Sequence, residues 1–170
     1  AGASAVYASA TNLVQSGRQN ILINSSAMVD VRNNHAAIVN IASGAFHCDR
    51  WRYFASVANK CNAQSAYLAA VDAANCEGIL NVHKYTLNGA YSPGAAEGFY
   101  FGQKIEGLGR WNRMGYQNGA SSPKSATLLF YARMSKAGTY SGALVNTTGN
   151  VSYPFSFTVA AANTLQKFAI

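Results

Sequence analysis

Charged residues are scarce in this chain. Lys, Arg, Asp and Glu together make up 11% of the 170 residues, against about 25% in an ordinary soluble protein. Ala, Asn, Ser and Gly supply 77 residues instead, which predicts a surface of small uncharged polar groups. Apolar residues reach 49% and aromatic residues 12%, enough for one hydrophobic core, so we do not expect a disordered chain.

Long apolar runs are also lacking. No stretch approaches the roughly 18 uninterrupted apolar residues that a membrane-spanning helix needs. The first five residues, Ala-Gly-Ala-Ser-Ala, have neither the basic nor the apolar region of a secretory signal peptide. We therefore expect no membrane insertion.

Cysteine is rare, with three residues, Cys48, Cys61 and Cys76. Because the number is odd and CxxC spacing is lacking, the cysteines predict neither a full disulfide framework nor a zinc finger. Reduced, partly buried thiols are the expectation. A Cys61–Cys76 bridge across neighbouring strands stays open, because spacing alone does not decide it.

The three histidines, His35, His47 and His83, have neither HExxH nor His-x-His spacing, so we predict no metal site and no cofactor. Cys48 directly follows His47. Because adjacent side chains of a strand point to opposite faces, we expect this thiol and imidazole to diverge rather than to act as nucleophile and base.

Basic residues exceed acidic ones, 13 against 6, for a net charge of +7. They are scattered, and only Arg50 with Arg52 and Arg110 with Arg113 lie close together. Proteins that follow a phosphate backbone usually concentrate their basic residues. We therefore predict no nucleic-acid binding.

The chain divides into an Ala/Ser-rich N-terminal arm, residues 1–18, and a single domain, residues 19–170. In the domain, short runs rich in β-branched and aromatic residues recur between Gly, Asn and Ser clusters, a pattern typical of strands and loops. The predicted strands are 20–23, 27–31, 38–42, 51–57, 66–71, 78–86, 98–106, 126–135, 139–145, 151–159 and 165–170.

The last third has the clearest alternation. One face of 126–135 carries Leu128, Phe130, Ala132 and Met134, and the inward set of 151–159 is Val151, Tyr153, Phe155, Phe157 and Val159. Pro154 cannot donate to a ladder, so we expect its strand at an edge or a bulge. The turns at 136–138, 146–150 and 160–163 are short enough to join sequential antiparallel strands.

Eleven short strands with almost no helix predict an all-β fold, an antiparallel β-sandwich or jelly roll. The last residues, 165–170, form a predicted strand with no turn after it. Either this strand is the final one, or the chain is the front part of a longer protein. We expect the second, a sandwich truncated at its C-terminus, because an exposed edge is normally protected.

Catalytic patterns are few. The carboxylates Asp30, Asp49, Asp72, Glu77, Glu97 and Glu106 include no pair that their spacing singles out for glycoside hydrolysis. GxSxG, P-loop and GxGxxG motifs are lacking. We therefore predict a protein that is not an enzyme.

Aromatic residues beside Arg and Asn favour binding of a sugar. Trp111, with Arg110, Arg113 and Tyr116, is the candidate ligand-binding group. We interpret Asp49, Arg50 and Trp51 as structural, with the two charged residues fixing a loop.

Several segments carry a family resemblance. They are Asn20-Ile21-Leu22-Ile23-Asn24 with 27–32, the motif Asp49-Arg50-Trp51, Gln103-Lys104-Ile105-Glu106-Gly107-Leu108, 125–133, 138–142, and 152–159 with Ala162-Asn163-Thr164 and Gln166-Lys167. Together they resemble the carbohydrate-binding-like sandwich domain of tail-fibre and other virion proteins of tailed bacteriophages. Residues 60–97 and the loop 109–119 depart from this pattern, so no ligand contact near Trp111 is carried over.

The resemblance implies a structural or adhesive domain without catalytic residues. We expect a virion protein, an exposed fibre or appendage component that contributes to attachment to a bacterial surface glycan. Its partners would be other virion proteins and copies of itself, as in the trimers common among phage fibres. Alternatives are a capsid decoration or head-fibre protein and, in a different class, a polysaccharide depolymerase or glycosidase.

Overall fold

The computed structural model describes residues 20–73, 76, 79–107, 126–146 and 148–170. Within these ranges the chain is all-β, with antiparallel sheets and one short helix. In chain order the elements are β1 (Phe46–Cys48), β2 (Trp51–Ala55), β3 (Cys61–Tyr67), α1 (Ala70–Ala73), β4 (Asn81–Leu87), β5 (Phe99–Gly102), β6 (Leu129–Ala132), β7 (Gly138–Val145), β8 (Ser152–Val159) and β9 (Gln166–Ala169).

The first five strands form two antiparallel units. β2 is the centre of a three-stranded sheet in the order β1-β2-β5, and β3 pairs with β4 as a two-stranded ribbon. Alternating burial along β3 marks the face that it turns to the core. The core cluster joins both units through Ile41, Tyr53, Cys61 and Ala63. The cluster of His47, Cys48, His83 and Tyr85 lies between the same two units.

The segment before β1 is irregular, so the predicted strands 20–23, 27–31 and 38–42 are wrong, apart from an isolated bridge between Ile38 and Ala63. Asn24, Asn34 and Asn40 adopt positive φ angles of 52°, 46° and 53°. Asparagine tolerates this left-handed conformation better than most residues. These asparagines therefore turn the chain where the apolar pattern alone indicated extended strands.

Two further differences concern element limits. The predicted strand 66–71 is wrong beyond Tyr67, because residues 70–73 form helix α1 and the strand begins earlier, at Cys61. β1 was not predicted. The other predicted strands correspond to observed ones whose limits differ by at most four residues, namely β2, β4, β5, β6, β7, β8 and β9.

The last four strands form two antiparallel pairs, and one pair lies inside the other along the sequence. β7 and β8 form a hairpin, and β6, which precedes the hairpin, pairs with β9, which follows it. The turn between Asn146 and Asn150 joins paired strands as predicted, whereas the turns at 136–138 and 160–163 connect strands that do not pair with each other. Pro154 lies in β8, which among the described strands pairs only with β7, so Pro154 has the predicted edge position.

Aromatic rings connect the β6–β9 ribbon to the β7–β8 hairpin. The Phe157 ring of β8 lies 5.0 Å from Phe130, 4.9 Å from Phe168 and 5.8 Å from Tyr140, measured between ring centroids. In β8, Phe155, Phe157 and Val159 are at least partly buried between exposed neighbours, so the predicted alternation is confirmed there. The same prediction is wrong for Val151 and Tyr153, which are exposed.

None of the three cysteines is in a disulfide. All three are buried, namely Cys48, Cys61 and Cys76, so the Cys61–Cys76 bridge does not form.

An ion pair links the first and the last part of the chain. Asp72 of α1 is buried and pairs with Arg133, just after β6. No helix in the described part of the chain is long and apolar enough to span a membrane.

Candidate metal centre

Two histidines, a cysteine and a tyrosine meet between β1 and β4. His47 and Cys48 are fully buried in β1, and His83 and Tyr85 come from β4. His83 and Tyr85 are two residues apart on one strand, so their side chains share a face. One nitrogen from each histidine and the Cys48 sulfur all lie within 4.8 Å of one another.

A β-bulge brings His47 and Cys48 to the same side. Phe46 pairs with Arg52 but Cys48 pairs with Trp51, so β1 has one residue more than β2 at this point. An extra residue breaks the strict alternation of side chains. The predicted divergence of the Cys48 thiol and the His47 imidazole is therefore wrong, because it assumed a regular strand.

The histidines are part of a hydrogen-bonded chain. The Tyr85 hydroxyl lies 2.9 Å from His47 Nδ1 and 3.2 Å from His47 Nε2. His47 Nε2 lies 2.7 Å from His83 Nδ1, and His83 Nε2 lies 3.2 Å from the Ser25 carbonyl oxygen.

One proton arrangement satisfies every member of this chain. A carbonyl only accepts, so His83 Nε2 carries a proton and donates it to Ser25. Neutral His83 then accepts at Nδ1 from His47 Nε2–H, and neutral His47 accepts at Nδ1 from the Tyr85 hydroxyl. Both imidazoles are neutral in this arrangement.

Burial favours the uncharged form of each group in the cluster. Desolvation lowers the pKa of His47 to about 4. Desolvation, reinforced by His47, lowers the pKa of His83 to about 3. Burial, together with the charges of Asp30 and Asp49, raises the pKa of the Cys48 thiol to about 12. At neutral pH the site therefore holds two neutral imidazoles and a protonated thiol.

Aromatic rings enclose the cluster. The Trp51 ring centroid lies 4.6 Å from that of His83, and the Phe101 ring lies 5.7 Å from His83 and 6.4 Å from His47. Trp51 and Phe101 are themselves 5.8 Å apart. These rings restrict water around the imidazoles, which is the physical cause of their lowered pKa values.

The third histidine belongs to a different site. His35 Nδ1 lies 2.8 Å from the Ser65 hydroxyl, which donates its only hydrogen to the Ala27 carbonyl. The hydroxyl must therefore accept from His35 Nδ1–H. A nucleophilic serine needs a histidine that accepts its proton, so this pair lacks the arrangement of a serine nucleophile and base.

The motif Asp49-Arg50-Trp51 lies next to the cluster, and its side chains bind other parts of the chain. Asp49 accepts from the Val31 backbone N–H at 2.8 Å and lies 3.6 Å from the Arg32 guanidinium. Arg50 pairs with Glu106 at 2.8 Å. The Trp51 indole N–H donates to the carbonyl oxygens of residues 23 and 24, at 3.1 and 2.9 Å.

Gln103 holds the same irregular segment. Its side-chain amide accepts from the Ile23 N–H at 2.8 Å and donates to the Ile23 carbonyl at 2.6 Å. Side chains thus supply the partners that a neighbouring strand supplies in a ladder. The predicted ligand-binding group, Trp111 with Arg110, Arg113 and Tyr116, lies outside the described residues.

The carboxylates of the described residues are engaged with nearby donors. Asp30 accepts from the backbone N–H groups of residues 33 and 35, and Glu97 from Tyr91 and Gly94. The other three are Asp49 and Glu106, described above, and Asp72, which pairs with Arg133. None of these contacts favours a pair of catalytic acids.

Sequence reasoning missed the cluster itself. The alternation His83, Lys84, Tyr85 in a predicted strand places His83 and Tyr85 on one face, a signal that was available. The bulge in β1 had no signal in the sequence. Comparison of the chain with protein-family models, curated proteins and solved structures gives no match.

Proposed function

We propose that this chain is a non-enzymatic structural protein of a tailed-bacteriophage virion, an exposed fibre or appendage component that works as an oligomer and contributes to attachment to host glycans. The finer fold proposed with it is a β-sandwich of the jelly-roll type. The observation that carries the proposal is an uncovered apolar patch at the tip of the β7–β8 hairpin, in the region where the family resemblance is strongest.

The patch continues a face that is packed elsewhere. Leu144 of β7 lies directly opposite Tyr153 of β8, and Val151 lies two residues before Tyr153. Further along the same face, Phe155 and Phe157 are partly covered. Leu144, Val151 and Tyr153, the hairpin-tip patch, are 42%, 64% and 63% exposed.

The exposed half of this apolar hairpin face is suited to a contact with another protein chain. Contiguous apolar patches on protein surfaces mark interaction sites, and an isolated two-stranded hairpin is only marginally stable in water. A second copy of the chain offers the same patch, as a symmetric assembly requires. Many copies on one particle would turn weak sugar contacts into strong attachment.

Sedimentation of the full chain tests the oligomer. We expect a defined oligomer at micromolar concentration and its dissociation in the double variant Leu144→Ser/Tyr153→Ser. Val31→Ser/Val39→Ser is the matched control, because these valines are also exposed, at 84% and 69%, but lie in the other part of the chain. A wild-type monomer would contradict the oligomeric proposal.

Antibody labelling of intact phage particles tests the location. Label on the tail or its fibres is the expected result, and label on the head would favour the capsid decoration alternative. Particles without label would overturn the virion assignment. Release of reducing sugar from host polysaccharide by the purified chain would overturn its non-enzymatic part.

A glycan array probed with the oligomer tests attachment separately. We expect binding that weakens in Trp111→Ala, the residue predicted to contact sugar. Absence of binding would remove the attachment role and leave the structural role to the labelling experiment.

A further inference from the structure

The cluster between β1 and β4 contains three side chains that commonly bind transition metals. We propose that His47 Nε2, His83 Nδ1 and Cys48 Sγ bind one Zn²⁺ ion, which ties the three-stranded sheet to the β3–β4 ribbon. This site lies in residues 20–107 and does not depend on the proposed virion role.

The donor set determines the choice of metal. Zn²⁺ binds imidazole nitrogen and thiolate sulfur in tetrahedral sites, often with three protein ligands and one water. Calcium and magnesium require oxygen ligands, which the three meeting atoms do not provide. Two nitrogens and one sulfur therefore match zinc and its close chemical relative Co²⁺.

Two of the three distances between ligand atoms are close to those of a tetrahedral site. With Zn–N bonds of about 2.0–2.1 Å, two nitrogens of a tetrahedral site lie about 3.3 Å apart, and a nitrogen and a sulfur about 3.6 Å apart. Here the His47 and His83 nitrogens are 2.7 Å apart, joined by a hydrogen bond, and the Cys48 sulfur is 3.7 Å from His83 Nδ1. Replacing the shared proton by a metal moves the imidazoles apart by roughly 0.6 Å. The third distance, between the His47 nitrogen and the Cys48 sulfur, is no more than 4.8 Å, so it shortens by up to about 1.2 Å on binding.

The second ring nitrogen of each histidine already has a supporting partner. Metal-bound histidines usually donate their other N–H to a carbonyl, a carboxylate or water. His83 Nε2 donates to the Ser25 carbonyl, and the Tyr85 hydroxyl lies 2.9 Å from His47 Nδ1. Both rings are therefore oriented by the fold before a metal enters.

The protons balance in a simple way. The His47 proton moves from Nε2 to Nδ1, where the Tyr85 oxygen accepts it, and the Tyr85 hydrogen turns away. His83 keeps its proton on Nε2. Cys48 releases its thiol proton to solvent as the S–Zn bond forms, so binding releases one proton per Zn²⁺.

The surrounding charges favour a cation. Asp30 and Asp49 are close enough to act on the Cys48 thiol. Asn33 donates to both the Asp30 carboxylate, at 3.1 Å, and the His47 carbonyl, at 3.2 Å. Among the described residues three side chains supply ligand atoms, and in zinc sites with three protein ligands the fourth position is open to water or another small ligand.

Metal titration of the full chain tests the site. The chain is first stripped with a chelator under reducing conditions and then titrated with Zn²⁺ in competition with a chromogenic chelator. We expect one tightly bound Zn²⁺ per chain and a rise in the midpoint of thermal unfolding. Cys48→Ser should weaken binding by about 100-fold or more, and Tyr85→Phe, which loses a positioning residue, by about 10-fold.

Two control variants test whether Zn²⁺ binding is specific to His47, Cys48 and His83. Cys61→Ser removes another buried thiol, and His35→Gln removes the histidine bound to Ser65. Both should bind Zn²⁺ like the wild-type chain. Equal affinity in Cys48→Ser and wild type, or no binding tighter than that of any surface histidine, would overturn the proposal.

Co²⁺ provides a readout that does not depend on whether Cys48→Ser folds. In the wild-type chain and in Cys61→Ser we expect a thiolate-to-cobalt charge-transfer band and the intense visible bands of four-coordinate Co²⁺. A wild-type spectrum without the charge-transfer band would overturn Cys48 as a ligand. The pair His47–His83 would then be a hydrogen-bonded structural element only.

Discussion

At the residue scale, His47 and His83 are a pair of imidazoles that the fold keeps neutral. Their pKa values fall to about 4 and about 3 because burial removes the water that would stabilise their charge. Cys48 and Tyr85, the titratable groups in contact with them, have raised pKa values and stay protonated from neutral to acidic pH. In mild acid the histidines are therefore the groups of this cluster whose protonation differs between the folded and the unfolded chain.

We predict that the metal-free chain loses stability as the pH falls from about 6.5 towards 4. An unfolded chain has ordinary histidines with a pKa of about 6.5. Between these pH values the two histidines bind protons in the unfolded chain but not in the folded one. The free energy of unfolding therefore decreases on acidification. Urea denaturation at successive pH values, with a chelator present, measures the effect.

Two variants provide the control for this pH dependence. His83→Gln and His47→Gln should each flatten the profile between pH 6.5 and 4, because each removes one of the two buried imidazoles. A wild-type profile that is flat over this range would contradict neutral, buried histidines.

At the scale of elements, the β7–β8 hairpin contains a glycine whose side-chain space is filled by a ring of the facing strand. Gly142 lies opposite Phe155, and a Cβ added to Gly142 would meet the Phe155 ring at 2.4 Å. The aromatic ring thus covers a bare backbone position. The face of the hairpin closes over this glycine because it has no side chain.

We predict that Gly142→Ala destabilises the chain by about 1–2 kcal/mol, although alanine is otherwise better in a strand than glycine. The Phe155 ring must rotate away and lose contacts. The double variant Gly142→Ala/Phe155→Leu should cost less than the sum of the two single changes, because the smaller side chain leaves room. Strict additivity in urea denaturation would contradict this packing.

An element could be predicted where the pattern of its own residues determines its conformation. The segments of β6 and β8 have clear period-two patterns, and all four strands from β6 to β9 lie where the sequence predicted strands, within a few residues. The segment before β1 also looks extended, but left-handed asparagines such as Asn24 and Asn40 turn it, and Trp51 and Gln103 bind its backbone. Such long-range side-chain contacts leave no periodic signal.

The candidate site was less predictable than the fold. His83 and Tyr85 could have been placed on one face of their strand from sequence alone. His47 and Cys48 could not be placed together, because the bulge that aligns them depends on the pairing of β1 with β2. Strand pairing is a tertiary property, and one extra residue reverses the direction of a side chain.

At the scale of the whole molecule, an ion pair joins the first and last parts of the chain. Arg133 lies just after β6, and the Asp72 carboxylate that it contacts is buried in α1. A buried carboxylate without its partner is costly, whereas an exposed ion pair contributes little. The cost of breaking this pair therefore depends on the burial of Asp72.

We predict that Arg133→Ala lowers the free energy of unfolding by about 1–3 kcal/mol. Arg133→Ala/Asp72→Asn should recover part of this loss, since the unpaired charge is removed. Lys136→Ala, a nearby exposed cation, should change stability by less than about 0.5 kcal/mol. An effect of Arg133→Ala as small as that of Lys136→Ala would show that the pair contributes nothing.

The nesting of β7–β8 inside β6–β9 has a consequence for the order of folding. Bringing β6 and β9 together directly means closing the long loop between residues 132 and 166, whereas β7 and β8 are joined by a short turn held by bonds such as Asn146 to Asn150. Short loops close at lower entropic cost. Once the hairpin exists, it shortens the effective loop between the outer strands.

We therefore expect the hairpin to form first and the outer ribbon to close over it. In stopped-flow refolding, Asn150→Ala in the turn should slow folding, while Phe168→Leu in β9 should mainly speed unfolding. The reverse assignment would mean that the outer strands meet first. If the hairpin leads, its apolar tip is present from the earliest stage of folding, and the oligomer that we propose would then begin to assemble from chains that have not finished folding.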